Sequence, residues 1–89
     1  MKILPKKFDK KGFTYKQIKR DGMKAIYEQS KAGQKSISFE VIKIGKHDGY
    51  DLGASHIDPA ETYPGSSQWG ISGWTHLNLQ SAEARFKKL

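Results

Sequence analysis

The run GFTYKQIKRDGMKAIYEQ, residues 12–29, decides the fold. Over residues 12–20, Phe13 and Tyr15 fall on one face and Thr14 and Lys16 on the other, the period-2 pattern of a half-buried strand. Ile18 is out of phase with them, which predicts an imperfect register or a β-bulge. Asp21-Gly22 is a strong hairpin turn signal. Residues 23–29 alternate again, with Met23, Ala25 and Tyr27 opposed to Lys24, Ile26 and Glu28. A helix can also be drawn through them, but the turn just before favours a second strand.

Working outward, SKAGQK (residues 30–35) reads as a polar loop around Gly33, and SISFEVIKI (residues 36–44) as the plainest strand of the chain. Ile37, Phe39 and Val41 share one face, and Ser38 and Glu40 face away. Ile42 and Ile44 then fall on the opposite face. Such a switch predicts either a bulge or a strand end buried on both sides. Three strands joined by short loops make an antiparallel meander. Upstream, MKILPKKFDKK (residues 1–11) is a lead-in broken at Pro5, either a flexible basic arm or a solvated edge.

From Gly45 the character changes. GKHDGYDLGASHIDPAET is rich in Gly, Asp and His, with a short candidate strand over residues 50–54. It leads into YPGSSQWGISGW (residues 63–74), which holds both tryptophans. Tyr63 precedes a proline and is pushed toward extended backbone. Pro64-Gly65 is a turn signal, Ser66 to Gln68 allow one short turn of helix, and Gly73 lets backbone approach closely beside Trp74. Each indole can bury about 150–250 Å². Both can plug a small core, or Trp69, on the turn, can be a partner-facing anchor. Residues 72–77 form a further strand, with Trp74 as the core member. Asn78 is a candidate N-cap. Leu79, Ala82, Phe86 and Leu89 make one stripe of a terminal helix whose last turns carry Arg85, Lys87 and Lys88. The expected fold class is α+β: an antiparallel meander of about four strands, with one C-terminal α-helix packed on one face. The loop-rich residues 63–74 lock sheet and helix together.

The 89 residues are read as a single domain, 1–89, able to hold one core. There is no cysteine, so disulfides and thiol chemistry are excluded and a reducing, cytoplasmic setting is expected. No apolar run is long enough to span a membrane, and the apolar part of MKILPKKF is too short for a signal peptide. The formal charge of +7 is unevenly spread: residues 1–24 carry nine Lys or Arg against two Asp, whereas residues 47–84 contain no Lys or Arg and five acids. A sheet so polarised can present a basic face to phosphate backbones or to an acidic protein. Alternatively, the lysines solubilise exposed strands and guard their edges. Lys16, Lys19, Arg20 and Lys24 are the candidate basic surface, interleaved with Phe13, Tyr15 and Tyr27. If those aromatics are core, the surface offers charge without a stacking platform.

His47, Asp48, Asp51, His56, Asp58, Glu61 and His76 form the richest ligand-type set. Their spacing fits no HExxH pattern and no calcium loop, so turn and capping roles are the expectation, and no metal or cofactor is implied. The distant alternative is a metal-dependent hydrolase using His47, Asp51, His56 and His76. No GxSxG, Walker or GxGxxG pattern occurs. The expectation is therefore a non-enzymatic binding protein with Tyr63, Trp69 and His56 as anchors. The open edge of a small sheet also allows a homodimer.

Three stretches carry a resemblance: GFTYKQIKRDGMKAIYEQ, then SFEVIKI, then AETYPGSSQWGISGWTHLNLQSAEARFKKL. Over about residues 12–89 the chain resembles small uncharacterised proteins of bacteriophages and mobile elements, with a YPxxxxWGxxGW turn followed by an AEAxF helix. The resemblance carries over no functional residue. It implies an accessory protein that binds a host or viral macromolecule in the host cytoplasm, inhibition being one such mode. A sequence-unspecific nucleic-acid-binding module using the basic hairpin is the alternative.

Overall fold

The computed structural model describes residues 2–35 and 37–89. Among the described residues nine strands and one α-helix follow in order: β1 (Lys7–Lys10), β2 (Phe13–Asp21), β3 (Lys24–Lys31), β4 (Ser38–Lys43), β5 (Gly45–His47), β6 (Tyr50–Leu52), β7 (Ser55–Ile57), β8 (Ala60–Thr62), β9 (Gly73–His76) and α1 (Leu79–Lys88). Five of them form an antiparallel sheet in the order β1-β2-β3-β4-β9, with α1 against one face. The α+β meander with a terminal helix is thus what the chain builds, with one strand more than the pattern predicts.

The extra strand is β1. Of the two readings of the basic lead-in, the structure takes the solvated edge: residues 7–10 pair with β2 instead of forming an arm. The turn that joins them explains why it is hard to read. Lys10 pairs with Phe13, leaving Lys11-Gly12 as a two-residue loop with positive φ at both positions (52° and 84°). That is the demand of a type I′ turn, which Asn-Gly or Asp-Gly usually meets. The β2–β3 loop is Gly22-Met23, one residue beyond the Asp-Gly signal, with Gly22 at φ 62°.

The bulge predicted at Ile18 is present. Gln17 pairs with Tyr27 and Lys19 with Ile26, so Ile18 has no opposite partner. Beyond it the side-chain alternation is shifted, and Arg20 rather than Lys19 joins the face of Tyr15 and Gln17. The face switch in β4 has the other origin. Its pairing with β3 is regular, and the strand is buried on both sides. The predicted start of this strand at Ser36 lies outside the described residues.

Two clusters cover the two faces of the sheet. On one side Ile26, Phe39 and Val41 pack against Ala82 and Phe86 of α1, with Leu89 partly buried beside them. Asn78 caps the helix, its side chain accepting from Ser81 N–H at 2.8 Å. On the other side Leu4, Tyr15, Ala25, Tyr27, Ile42 and Ile44 are covered by Phe8, Phe13, Tyr63 and Trp69. The chain between β4 and β9 leaves the sheet as a ribbon, in which β5 pairs with β8 and β6 with β7. Gly49 sits at the break between the two pairs, at φ 91°, where a Cβ would stand 2.7 Å from the Ile57 carbonyl. The ribbon is tied down by Lys2, whose N–H donates to Pro59 O and whose carbonyl accepts from Glu61 N–H.

Candidate functional site: a cleft over Glu40

Tyr63 follows β8 and is the hub of the aromatic face. Its ring meets those of Phe8, Tyr15 and Tyr27 edge-on, at centroid distances of 5.5, 5.7 and 5.3 Å. Its hydroxyl donates to Oε1 of Glu40 in a short hydrogen bond. Burial, then the bond to Glu40, push the Tyr63 pKa far up, so the hydroxyl stays a donor.

Pro64-Gly65 then turns the chain into a single 3-10 turn, Ser66–Gln68, closed by Gln68 N–H to Gly65 O and Trp69 N–H to Ser66 O. Gly70, at φ 90°, folds the next residues back, and its N–H donates to Gly73 O. This return lays the Trp69 indole across Gly73. A Cβ on Gly73 would stand 2.5 Å from the indole ring. The close approach that Gly73 permits is therefore to Trp69, four residues back in the chain. The Trp69 indole N–H donates to Thr75 Oγ1 at 2.9 Å, which fixes the ring at its polar end. Trp74 is on the opposite side of the sheet, half-buried beneath Arg85. Both tryptophans are half-buried. Trp69 packs on the aromatic core and also borders solvent.

Between these groups lies a cleft of about 420 Å³ lined by Lys10, Glu40, Tyr63, Pro64, Ser66 and Trp69. Its floor is Glu40, in the middle of β4 between Tyr27 on β3 and Thr75 on β9. Glu40 is 7% exposed. Burial raises its pKa, opposed by the Tyr63 hydrogen bond and then by Lys10. Lys10, the last residue of β1, is exposed and stands at the rim.

Tyr63 and Trp69, two of the three expected anchors, thus share one cleft. His56 lies elsewhere, on β7 of the ribbon. It is exposed, with Nδ1 2.7 Å from Asp51 and Nε2 3.4 Å from Asp58. His47 Nδ1 accepts from Gly49 N–H, and His76 sits on β9. Among the described residues no group of three or more His, Asp or Glu is placed to hold a metal ion. The ligand-type set is spread over the ribbon and the sheet edge, and against the expectation of turn roles five of its members, His47, Asp51, His56, Glu61 and His76, lie in strands, with only Asp48 and Asp58 between them.

Of the four residues of the candidate basic surface, Lys16, Lys19 and Lys24 share the helix-bearing side of the sheet and Arg20 lies on the other. Arg20 makes a two-pronged ion pair with Glu61, Nη1 to Oε1 at 2.7 Å and Nη2 to Oε2 at 2.6 Å. Arg20, then Leu4 N–H, hold the Glu61 pKa down at about 2. Lys24 bonds the last carbonyls of α1, Phe86 O at 3.0 Å and Leu89 O at 3.2 Å, and lies over the Phe86 ring. Lys19 also lies over Phe86. Lys16 is exposed and pairs in register with Lys7 on β1.

Sequence reasoning did not find Glu40 or Lys10. A signal for Glu40 existed: Ile42 and Ile44 follow on its face of β4, so that face is buried too and a carboxylate within it needs an explanation.

Among the described residues no helix is long and apolar enough to cross a membrane. In comparisons with known proteins, no family model, no curated protein and no solved structure matches this chain.

Proposed function

We propose that this chain is a small non-enzymatic binding protein of the accessory kind carried by bacteriophages and mobile elements. It holds a host or viral protein at the cleft between Tyr63, Pro64 and Trp69. The observation that carries this reading is the cleft itself, in which two aromatic side chains and a proline wall a buried carboxylate. Its volume falls within the roughly 300–1,000 Å³ of ligand sites, and apolar walls with a few convergent polar groups are the usual build of such sites. Trp and Tyr are the residues most enriched among binding hot spots. The two titratable groups at the floor are engaged with each other. Glu40 accepts the Tyr63 proton donor, and that hydroxyl is held protonated.

The test is capture from a bacterial lysate, with and without nuclease, by the wild-type chain and by Ser66→Arg. Ser66 is exposed on the 3-10 turn and lines the cleft, so a long side chain there fills the cleft and leaves the aromatic core intact. Capture that resists nuclease and is lost in Ser66→Arg, at unchanged thermal stability, is the expected result. Equal capture by both chains overturns the reading.

A second reading, sequence-unspecific nucleic-acid binding, is favoured by one observation. Among the described residues Arg20 is the only Lys or Arg in an ion pair with a carboxylate. Lys7 and Lys16, beside Lys19, therefore offer open charge on the helix-bearing side of the sheet. Binding to a generic duplex at low salt, falling steeply as salt rises, would support it. No binding at low salt removes it.

A further inference from the structure

We infer that the cleft receives a cationic side chain, an arginine or lysine of the partner protein, with Glu40 as its counter-charge and Lys10 as a built-in competitor. The inference rests on the binding reading given above and names the chemistry of the occupant.

It comes from comparing two carboxylates on the same side of the sheet. The Glu61 side chain is 6% exposed, and the protein satisfies it fully from within: both guanidinium nitrogens of Arg20 and the Leu4 N–H converge on it. Glu40 is 7% exposed and is left unfinished. Among the described residues its hydrogen-bond donor is Tyr63 Oη, acting on Oε1 alone. An ionised carboxylate has about four lone-pair sites. A charge so far from water is ordinarily paired. No Lys or Arg comes within ion-pair distance of Glu40 among the described residues. Glu40 lines the cleft.

The walls suit the same occupant. Trp69 and Tyr63 offer ring surface, and the face of an aromatic ring attracts a cation. This chain uses that contact elsewhere, with Arg85 over Trp74 and Lys24 over Phe86. An anion would find one exposed lysine at the rim and a buried carboxylate at the floor. Lys10 is exposed at the end of an edge strand and lowers the proton affinity of Glu40 without bonding it. It acts as a placeholder that an incoming cation displaces.

The test uses the two indole N–H signals in a nitrogen-15 NMR titration of the full chain. Trp69 reports the cleft and Trp74 the opposite face, an internal control. The probes are the N-acetyl methylamides of arginine, lysine, glutamate and leucine. Saturable shifts of the Trp69 signal with arginine and lysine only, and an unmoved Trp74, are expected. Glu40→Gln should weaken arginine binding about tenfold, the effect of losing one charge-assisted bond. Lys10→Gln should tighten it severalfold. Lys7→Gln, the same charge change on the other side of the sheet, should leave it unaltered. Should Glu40→Gln fail to fold, the Lys10 and Lys7 variants still decide the matter. A Trp69 response to glutamate or leucine in place of arginine, no response to any probe, or weaker binding in Lys10→Gln overturns the inference. The titration needs no partner, so its failure is separable from that of the lysate capture. Capture lost in Ser66→Arg with no arginine response keeps the cleft as a binding site and discards the cation.

Discussion

The two faces of the sheet are covered by different kinds of chain. Helix α1 covers one, and its contacts are aliphatic and aromatic groups from Ile26, Phe39, Val41, Ala82 and Phe86. Two of the charges on that side engage the helix: Lys24 bonds carbonyls at its C-terminal end, and Lys19 and Lys24 lie over Phe86. Irregular chain from residues 2–5 and 63–69 covers the other. That face gathers four stacked or edge-on aromatic rings, an indole, and two carboxylates shielded from water. A helix presents one fixed stripe, which suits closing a core. A loop can aim each side chain separately, and the face roofed by loops holds the cleft over Glu40. The comparison teaches that the helix side closes a core, whereas the loop side holds the cleft for which recognition is proposed.

The strongest attempt to break this division is Phe86→Ala. Phe86 is 3% exposed, so its removal should cost about 3–5 kcal/mol in chemical denaturation. Under folding conditions the Trp69 indole signal should stay in place while that of Trp74 moves. Equal movement of both would mean that the faces are coupled and the division is false. Gly73→Ala attacks the other side. The added methyl would overlap the Trp69 ring, and overpacking of this kind typically costs about 1–3 kcal/mol. The Trp69 signal should shift and its response to the arginine probe should weaken. A variant as stable as wild type with an unmoved Trp69 would show that the indole does not rest on Gly73.

The helix side was the more legible of the two. Its stripe of Ala82 and Phe86 follows the 3.6-residue period, Asn78 is an ordinary cap, and residues 36–44 announce a strand by their apolar density. The hairpin and its bulge were also readable, because Ile18 breaks an otherwise regular alternation. The loop side was not. Strand β1 carries Phe8 among lysines and enters through Lys11-Gly12, a turn whose residues give weak warning of its type. Tyr63 and Trp69 were legible as aromatics in a turn, but nothing local says that they converge on a residue of β4. His56 is close to Tyr63 in sequence, and the ribbon carries it elsewhere. Glu40 and Lys10 reach the cleft through strand pairing across the sheet, information that periodicity within one segment does not hold.

The smallest expected effect is the pH dependence of stability, because the two shielded carboxylates act in opposite directions. Glu61 has its folded pKa lowered from 4.5 to about 2, chiefly by Arg20, so its contribution is present above 4.5 and is lost as pH falls from there toward about 2. Glu40 has its folded pKa raised above 4.5, chiefly by burial, so the folded state binds its proton more tightly. Its contribution is present below 4.5 and is lost as pH rises through the raised value. The Glu40 effect is the weaker, since the Tyr63 bond and Lys10 oppose burial, whereas Arg20 and Leu4 N–H reinforce each other at Glu61. Urea denaturation across the acid range should therefore show wild-type stability rising with pH up to 4.5 and declining slightly above it. Glu40→Gln should remove the decline and keep the acid rise. Glu61→Gln should flatten the acid rise and lower stability throughout, because Arg20 is left without its partner. If Glu40→Gln runs parallel to wild type at every pH, Glu40 is no more strained than a surface carboxylate. The loop side would then lose the feature that sets it apart from the helix side.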